Sequence, residues 1–229
     1  MNTAFVPEDY FAQYGVAQIF GAGETCEVDL GCGDGGFLLA MAEHYPETRF
    51  LGVERLLGRI RKVCNESARR GLSNVRGLRV ESRYFLEWMV APGSISRLHY
   101  LFPDPWPKKK HHSHRLFGPL FLNALWKRLE IGGVIEFATD HAEYFETVKE
   151  CFSLDKRFES VEPMPRPKEV WTEFETMFRE QSLPIYSAAW RTLEADDAPL
   201  EPLTIPSEAE PREGILRRTS AKMEKMENI

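Results

Sequence analysis

Several familiar features are missing from this 229-residue sequence. No apolar run approaches the roughly 20 residues that a helix needs to cross a bilayer, so a helical membrane span is excluded. The opening Met1-Asn-Thr-Ala-Phe-Val-Pro-Glu-Asp9 has neither the basic start nor the apolar stretch of a secretory signal, and a cytoplasmic location is expected. Cysteine is scarce. Its four residues (Cys26, Cys32, Cys64 and Cys151) show no Cys-x-x-Cys spacing, which argues for free thiols over a disulfide framework. Histidine crowds only at His111, His112 and His114, with no carboxylate or thiolate alongside, so no metal site is expected. There are no internal repeats. An excess of positive charge is absent too, the formal net charge being −6. Nine acids and five bases of that balance fall in residues 193–229, so the total says little about the field elsewhere.

What is present suits one globular α/β domain: 43% hydrophobic and 28% charged residues. Strand patterns at 26–30, 49–54, 75–81, 95–102 and 134–139 alternate with helical patterns at 36–45, 58–70, 83–89, 118–129 and 142–151. Such alternation predicts a doubly wound, mostly parallel sheet with helices on both faces. Gly132-Gly133 reads as the close of the helix at 118–129. Beyond the proline-rich Pro163-Met-Pro-Arg-Pro167 the pattern blurs into a short helix at 172–179 and an apolar stretch at 185–190. The organisation is therefore a lead-in at 1–25, a domain at 26–192 and an acidic, flexible tail at 193–229, with room for a charged helix at 217–227.

The most informative stretch runs from Leu98 to Arg115. An apolar run ends at Asp104, a carboxylate that looks buried, fenced by Pro103, Pro105 and Pro107 and followed by Trp106. Each proline lacks an amide donor and fixes its φ, so neither a helix nor an interior strand can continue. Lys108, Lys109, Lys110, the three histidines and Arg115 come next. A stiff acid and aromatic corner opening into a basic loop suggests a nucleobase pocket beside a phosphate track.

A second motif, Glu27-Val-Asp-Leu-Gly-Cys-Gly-Asp-Gly-Gly36, places glycine where a strand turns into a helix. Gly31, Gly33 and Gly36 satisfy Gly-x-Gly-x-x-Gly, and Glu54 follows about 20 residues on, where a ribose-binding acid belongs. NAD and S-adenosylmethionine both fit this spacing. Asp29 favours the second, since a carboxylate there suits a methionine ammonium and would repel a pyrophosphate. Glu81, at the end of the third strand, is a candidate for the adenine side. The arginines and lysine at 59, 61, 62, 69 and 70 read as a solvated helix face, and Trp88, Trp126, Trp171 and Trp190 as core or interface residues.

Taken in order, Asp29-Leu-Gly-Cys-Gly33, Phe50-Leu-Gly-Val-Glu54, Phe102-Pro-Asp-Pro-Trp-Pro-Lys108, Ala138-Thr-Asp140 and Thr172-Glu-Phe-Glu175 resemble the bacterial tRNA (guanine-N7)-methyltransferases. The match extends from about Cys26 to Trp190. The resemblance implies a Rossmann-like class I methyltransferase fold with a seven-stranded sheet, S-adenosylmethionine as donor, and a guanine in the variable loop of tRNA as acceptor. It also implies cofactor contacts at Asp29, Gly31, Gly33, Glu54, Glu81 and Asp104. Substrate contacts are implied at Lys108, Asp140, Thr172, Glu173, Phe174 and Glu175, and RNA contacts at Lys109, Lys110, His111, His112, His114 and Arg115. In the family the first acid is more often Glu and the third more often Asp; the exchange at Asp29 and Glu81 keeps charge and alters reach. The acidic tail has no counterpart in the resemblance.

Guanine N7 carries an in-plane lone pair, so methylation needs alignment more than a general base. Asp104 is the carboxylate expected to face the positive charge that develops on the base. A methyltransferase for another RNA base or a small molecule is the alternative, followed by a catalytically silent RNA-binding protein. An NAD dehydrogenase ranks last, for want of a catalytic His or Tyr-Lys constellation. The protein is expected to act as a monomer or homodimer without an obligate protein partner.

Overall fold

The computed structural model of the protein describes residues 3–106 and 115–194, which fall in one compact unit, Met1–Asp196. The basic run from Lys108 to His114 and the tail beyond 194 lie outside the described residues.

Eight strands are found among the described residues: β1 Ala4–Phe5, β2 Cys26–Leu30, β3 Phe50–Glu54, β4 Val75–Arg79, β5 Ile95–Leu101, β6 Leu129–Thr139, β7 Phe158–Val161 and β8 Tyr186–Thr192. They form one sheet in the order β1-β4-β3-β2-β5-β6-β8-β7. Pairing is parallel from β1 to β6, whereas β8 runs antiparallel between β6 and β7. The helices are α1 Val16–Phe20, α2 Gly36–His44, α3 Leu57–Arg69, α4 Ser82–Tyr84 (running into a π turn at Phe85–Met89), α5 Pro119–Arg128, α6 Ala142–Ser153 and α7 Glu173–Glu180. None is long and apolar enough to cross a membrane.

Strand β3, covered on both faces, reads as a near-continuous apolar run, whereas β2, β5 and β6 alternate apolar residues with charged ones. Val28, Leu30, Leu98, Tyr100, Ile135 and Phe137 pack with α1, α5 and α6 residues on one face. Phe50 and Val75 join Phe37, Leu38 and Met41 of α2 and Ile60 and Val63 of α3 on the other. Each such side chain contributes roughly 1.5–3 kcal/mol by leaving water.

Three expectations are corrected. The sheet has eight strands, not seven, because Ala4–Phe5 pairs with Gly77 and Leu78 of β4. That pairing, and the burial of Val16 and Ile19, make residues 3–25 part of the folded unit. Gly132-Gly133 does not close a helix but lies inside β6. There the pairing with β5 jumps from Ile95↔Leu129 to Arg97↔Val134, and a Cβ on Gly133 would stand 2.8 Å from the Glu130 carbonyl oxygen. Lastly, β4 stops at Arg79, so Glu81 stands beyond the strand and caps α4.

Strand order reverses between β2 and β5: β3 and β4 lie to one side of β2, β5 and β6 to the other. In an open parallel sheet a ligand crevice forms outside the carboxyl ends of the strands at this point.

Candidate active site

The residues that follow β2 open that crevice. The chain turns through left-handed glycines, Gly31 at φ +82° and Gly35 at φ +83°, before α2 begins. A Cβ on Gly31 would meet nothing within 4 Å, so the backbone there borders open space. At Gly35 a Cβ would lie 2.6 Å from Val63 Cγ2, and the same residue lets α2 settle against α3. Asp34 within the bend is held by Lys62 Nζ at 2.7 Å.

Two buried acids flank the bend. Asp29 is 6% exposed at the end of β2. Burial pushes its pKa up to about 7; the Arg166 charge draws it down and the Glu54 charge raises it. Glu54, at the end of β3, accepts a hydrogen bond from the Leu56 amide at 2.8 Å and faces Arg59 Nη1 at 3.6 Å. Glu81 is exposed and its Oε2 accepts from the Tyr84 amide at 2.9 Å.

Across the switch point, β5 and β6 deliver the other acids. Phe102 donates its amide to the Ala138 carbonyl at 2.7 Å, so Asp104 and Asp140 leave from neighbouring strand ends. Both are exposed; the sequence pattern had suggested a buried Asp104, but the three prolines carry the chain out of the core once β5 ends. Phe102 (φ 50°) and Trp106 (φ 44°) bracket the Pro-Asp-Pro corner in a left-handed conformation that bulky residues rarely adopt. The Phe102 ring lies 6.2 Å from Phe174 and 5.6 Å from Phe178 of α7.

Helix α7 explains the Thr-Glu-Phe-Glu motif in part as a cap. Thr172 Oγ1 accepts from the Glu175 amide at 2.9 Å. Glu173 reaches the glycine bend, its Oε1 lying 3.8 Å from where a Gly36 Cβ would be. Glu175 is 3% exposed, and its carboxylate meets Arg166 Nη2 at 3.0 Å and Arg179 Nη2 at 2.9 Å. Between α7 and the ends of β5 and β6 lies a cavity of about 340 Å³, lined among others by Leu101, Ala138, Arg166, Trp171, Glu175 and Arg179.

Arg115 is 7% exposed and faces inward. Its guanidinium forks onto Glu143 at 3.0 and 2.6 Å, donates to the Pro105 carbonyl at 2.8 Å and lies 4.6 Å from the Tyr144 ring centroid. These contacts tie the Pro-Asp-Pro corner to α6 and engage the guanidinium fork. Lys108, Lys109, Lys110, His111, His112 and His114 lie outside the described residues.

Two groups of residues escaped the sequence reading. Arg166 stood among prolines with no periodicity to mark it. The other is a polar network within the sheet: His99 meets Glu27 at 2.8 Å, Arg97 pairs with Glu136, and Glu136 accepts from the Met164 amide at 3.2 Å. Charged residues at alternate positions of β2, β5 and β6 were its only sign.

Comparison with known proteins places this geometry. A family described as "Putative methyltransferase" matches residues 24–188. Proteins named tRNA (guanine-N(7)-)-methyltransferase are similar to the chain. The one from Chlorobium phaeobacteroides is 37% identical over 69% of this chain and 76% of its own length. That from Halorhodospira halophila is 36% identical over 69% and 70%. For Syntrophotalea carbinolica the figures are 35%, 65% and 64%, so about a third of that relative lies outside the match. Among solved structures, the 16S rRNA methyltransferase KamB superimposes with a TM-score of 0.59 at 14% identity, covering 80% of this chain and 95% of KamB. TrmN from Thermus thermophilus gives 0.52 at 17% identity, covering 74% and 44%. At such identities the structures speak to the fold alone, which is that of the class I methyltransferases.

Proposed function

The chain belongs to the tRNA (guanine-N7)-methyltransferase family, and from that membership we propose that it methylates N7 of a guanine in the variable loop of tRNA, with S-adenosylmethionine as donor. The observation that carries the reading is that the open glycine bend after β2 and the acids Asp104 and Asp140 after β5 and β6 all stand at the carboxyl ends of neighbouring strands, where strand order reverses. Cytoplasmic tRNA is the partner this reading requires.

The residues present fit the donor. Space is open where a side chain on Gly31 would stand, Asp29 offers a carboxylate to a cationic amino-acid end, and Glu54 stands where ribose hydroxyls can be received. Gly33 and Glu81 would complete the contacts, Glu81 through the oxygen that does not cap α4. When bound, the donor supplies an electrophilic methyl group on a sulfonium.

The remaining work is done by the chain. A guanine N7 lone pair needs no deprotonation, so the site must align the base and exclude water. Asp104 faces the charge that grows on the base, an interaction stronger in the transition state than before it. Asp140 accepts from guanine N1–H and N2–H, which adenine cannot match. Glu175 and Phe174 border the base, Thr172 and Glu173 hold the start of α7 against the bend, and Lys108 serves O6 or a phosphate. A base stacked within a helix cannot reach such a slot and must be splayed out. Lys109, Lys110 and the histidines of the basic loop hold the RNA backbone.

Incubating the protein with labelled S-adenosylmethionine and unmodified tRNA, then mapping the nucleoside, tests the reading. Label in 7-methylguanosine of the variable loop is expected; label in another base, or only in small molecules, overturns it.

A further inference from the structure

Helix α7 carries an aromatic strip that its capping residues do not explain. Phe174, Met177 and Phe178 recur at the spacing that sets side chains on one face of a helix. Phe102, leaving β5, completes the group. Its ring centre lies 6.2 Å from that of Phe174 and 5.6 Å from that of Phe178, and the two α7 rings are 6.2 Å apart. The three rings are inclined to one another by 24° to 44°, closer to parallel than to perpendicular. Phe174 is 54% exposed and Met177 38%, while Glu175 is the buried residue of the same helix. Burying an acid and leaving rings in water inverts the usual order, and exposed apolar patches of this kind mark binding surfaces.

Position and charge identify the occupant. Phe102 stands two residues before Asp104, and Phe174 lies between Glu173 and Glu175, so the strip starts at residues that border the acceptor guanine in the reading above. Asp104, Glu173 and Glu180, close to the rings along the chain, are exposed carboxylates. Such groups repel a phosphate and accept N–H groups from the edge of a base. The one basic residue of α7, Arg179, is taken up by Glu175 and the Trp171 ring. A guanine drawn out of its stack also strips a neighbouring base of a partner, and aromatic side chains supply such partners to single-stranded RNA. Resting on the tRNA reading, we infer that Phe102, Phe174 and Phe178 form a stacking platform for the nucleotide next to the target guanine. Met177 extends the platform, which runs outward from the guanine slot along one turn of α7.

The test places 2-aminopurine in the tRNA on either side of the target guanine and follows its fluorescence, which falls when the base stacks on a ring. With the unaltered protein bound, the probe on one side should stay quenched. With Phe178→Leu, which keeps apolar bulk without a ring, it should brighten, and Phe178→Tyr should restore the quench. Phe178→Leu should also raise KM for tRNA about tenfold with kcat held within about twofold. An abasic nucleotide at that position should impose the same loss on the unaltered protein and none further on Phe178→Leu. Equal probe signals in the phenylalanine, leucine and tyrosine proteins, or additive losses from variant and abasic substrate, overturn the inference. If Phe178→Leu does not fold, Phe174→Leu, at the exposed ring, is read in the same way and decides. Self-association abolished by Phe174→Leu, with tRNA handling unchanged, would assign the strip to a second copy of the chain and likewise overturn it. Methylation of tRNA at N7 with no quenched probe on either side refutes the platform alone; no methylation refutes the reading on which it rests.

Discussion

At Asp29 the folded protein holds a carboxyl whose pKa burial raises from 3.8 to about 7. A group raised on folding contributes stability in full below its unfolded pKa and loses it as pH climbs through the folded value. The contribution at stake is up to about 4 kcal/mol across this window. Donor-free protein should therefore lose urea stability from about pH 4 to pH 8 relative to Asp29→Asn, in which that part of the slope is gone. The same variant should bind donor at least about tenfold more weakly by calorimetry, because an amide offers a cation no charge. Asp104 presents the opposite case: it is exposed, and the role proposed for it comes into play only as charge develops on the base. Asp104→Asn should lower kcat by about a hundredfold while tRNA affinity, measured by filter binding, stays within about twofold.

The elements that position these residues depend on a few contacts. Gly35→Ala would place a Cβ 2.6 Å from Val63 Cγ2 at a left-handed backbone position, and should destabilise the fold by about 1–3 kcal/mol in urea titration. Arg115→Lys removes the fork that ties the Pro105 carbonyl to Glu143 of α6. Misplacing the corner by an ångström should reduce turnover about ten- to a hundredfold with donor binding unchanged, as single-turnover kinetics and calorimetry would show. Legibility followed the same lines. Strand β3 was readable from a near-continuous apolar run and β2 and β5 from apolar residues alternating with charged ones, and Asp29 and Glu54 stand toward the carboxyl ends of β2 and β3. The two residues of β1, the five of α1 and the four of β7 are too short for a period to emerge. The burial of Arg115 was not legible, because a buried arginine and a phosphate-binding one look identical in a basic run. Arg166 was hidden because proline breaks periodicity on either side.

On the scale of the molecule, the proposed function requires a chain of net charge −6 to attract a polyanion. The field that matters is local, and the run from Lys108 to Lys110 is the strongest cluster of positive charge in the sequence. Replacing Lys109 and Lys110 together by alanine should flatten the log–log salt dependence of tRNA binding by about 1.5, near two phosphate contacts. An unchanged slope would remove those lysines from the interface. The place of β8 between β6 and β7 has a consequence for biosynthesis. Residues 158–161 emerge from the ribosome before the strand that must separate them from β6, so that flank of the nascent sheet has to wait, unzipped, until Thr192 has been made. The arginine-bearing segment and α7 lie between these two strands in the sequence, so the cavity wall they form is completed only when β8 has been threaded into the sheet.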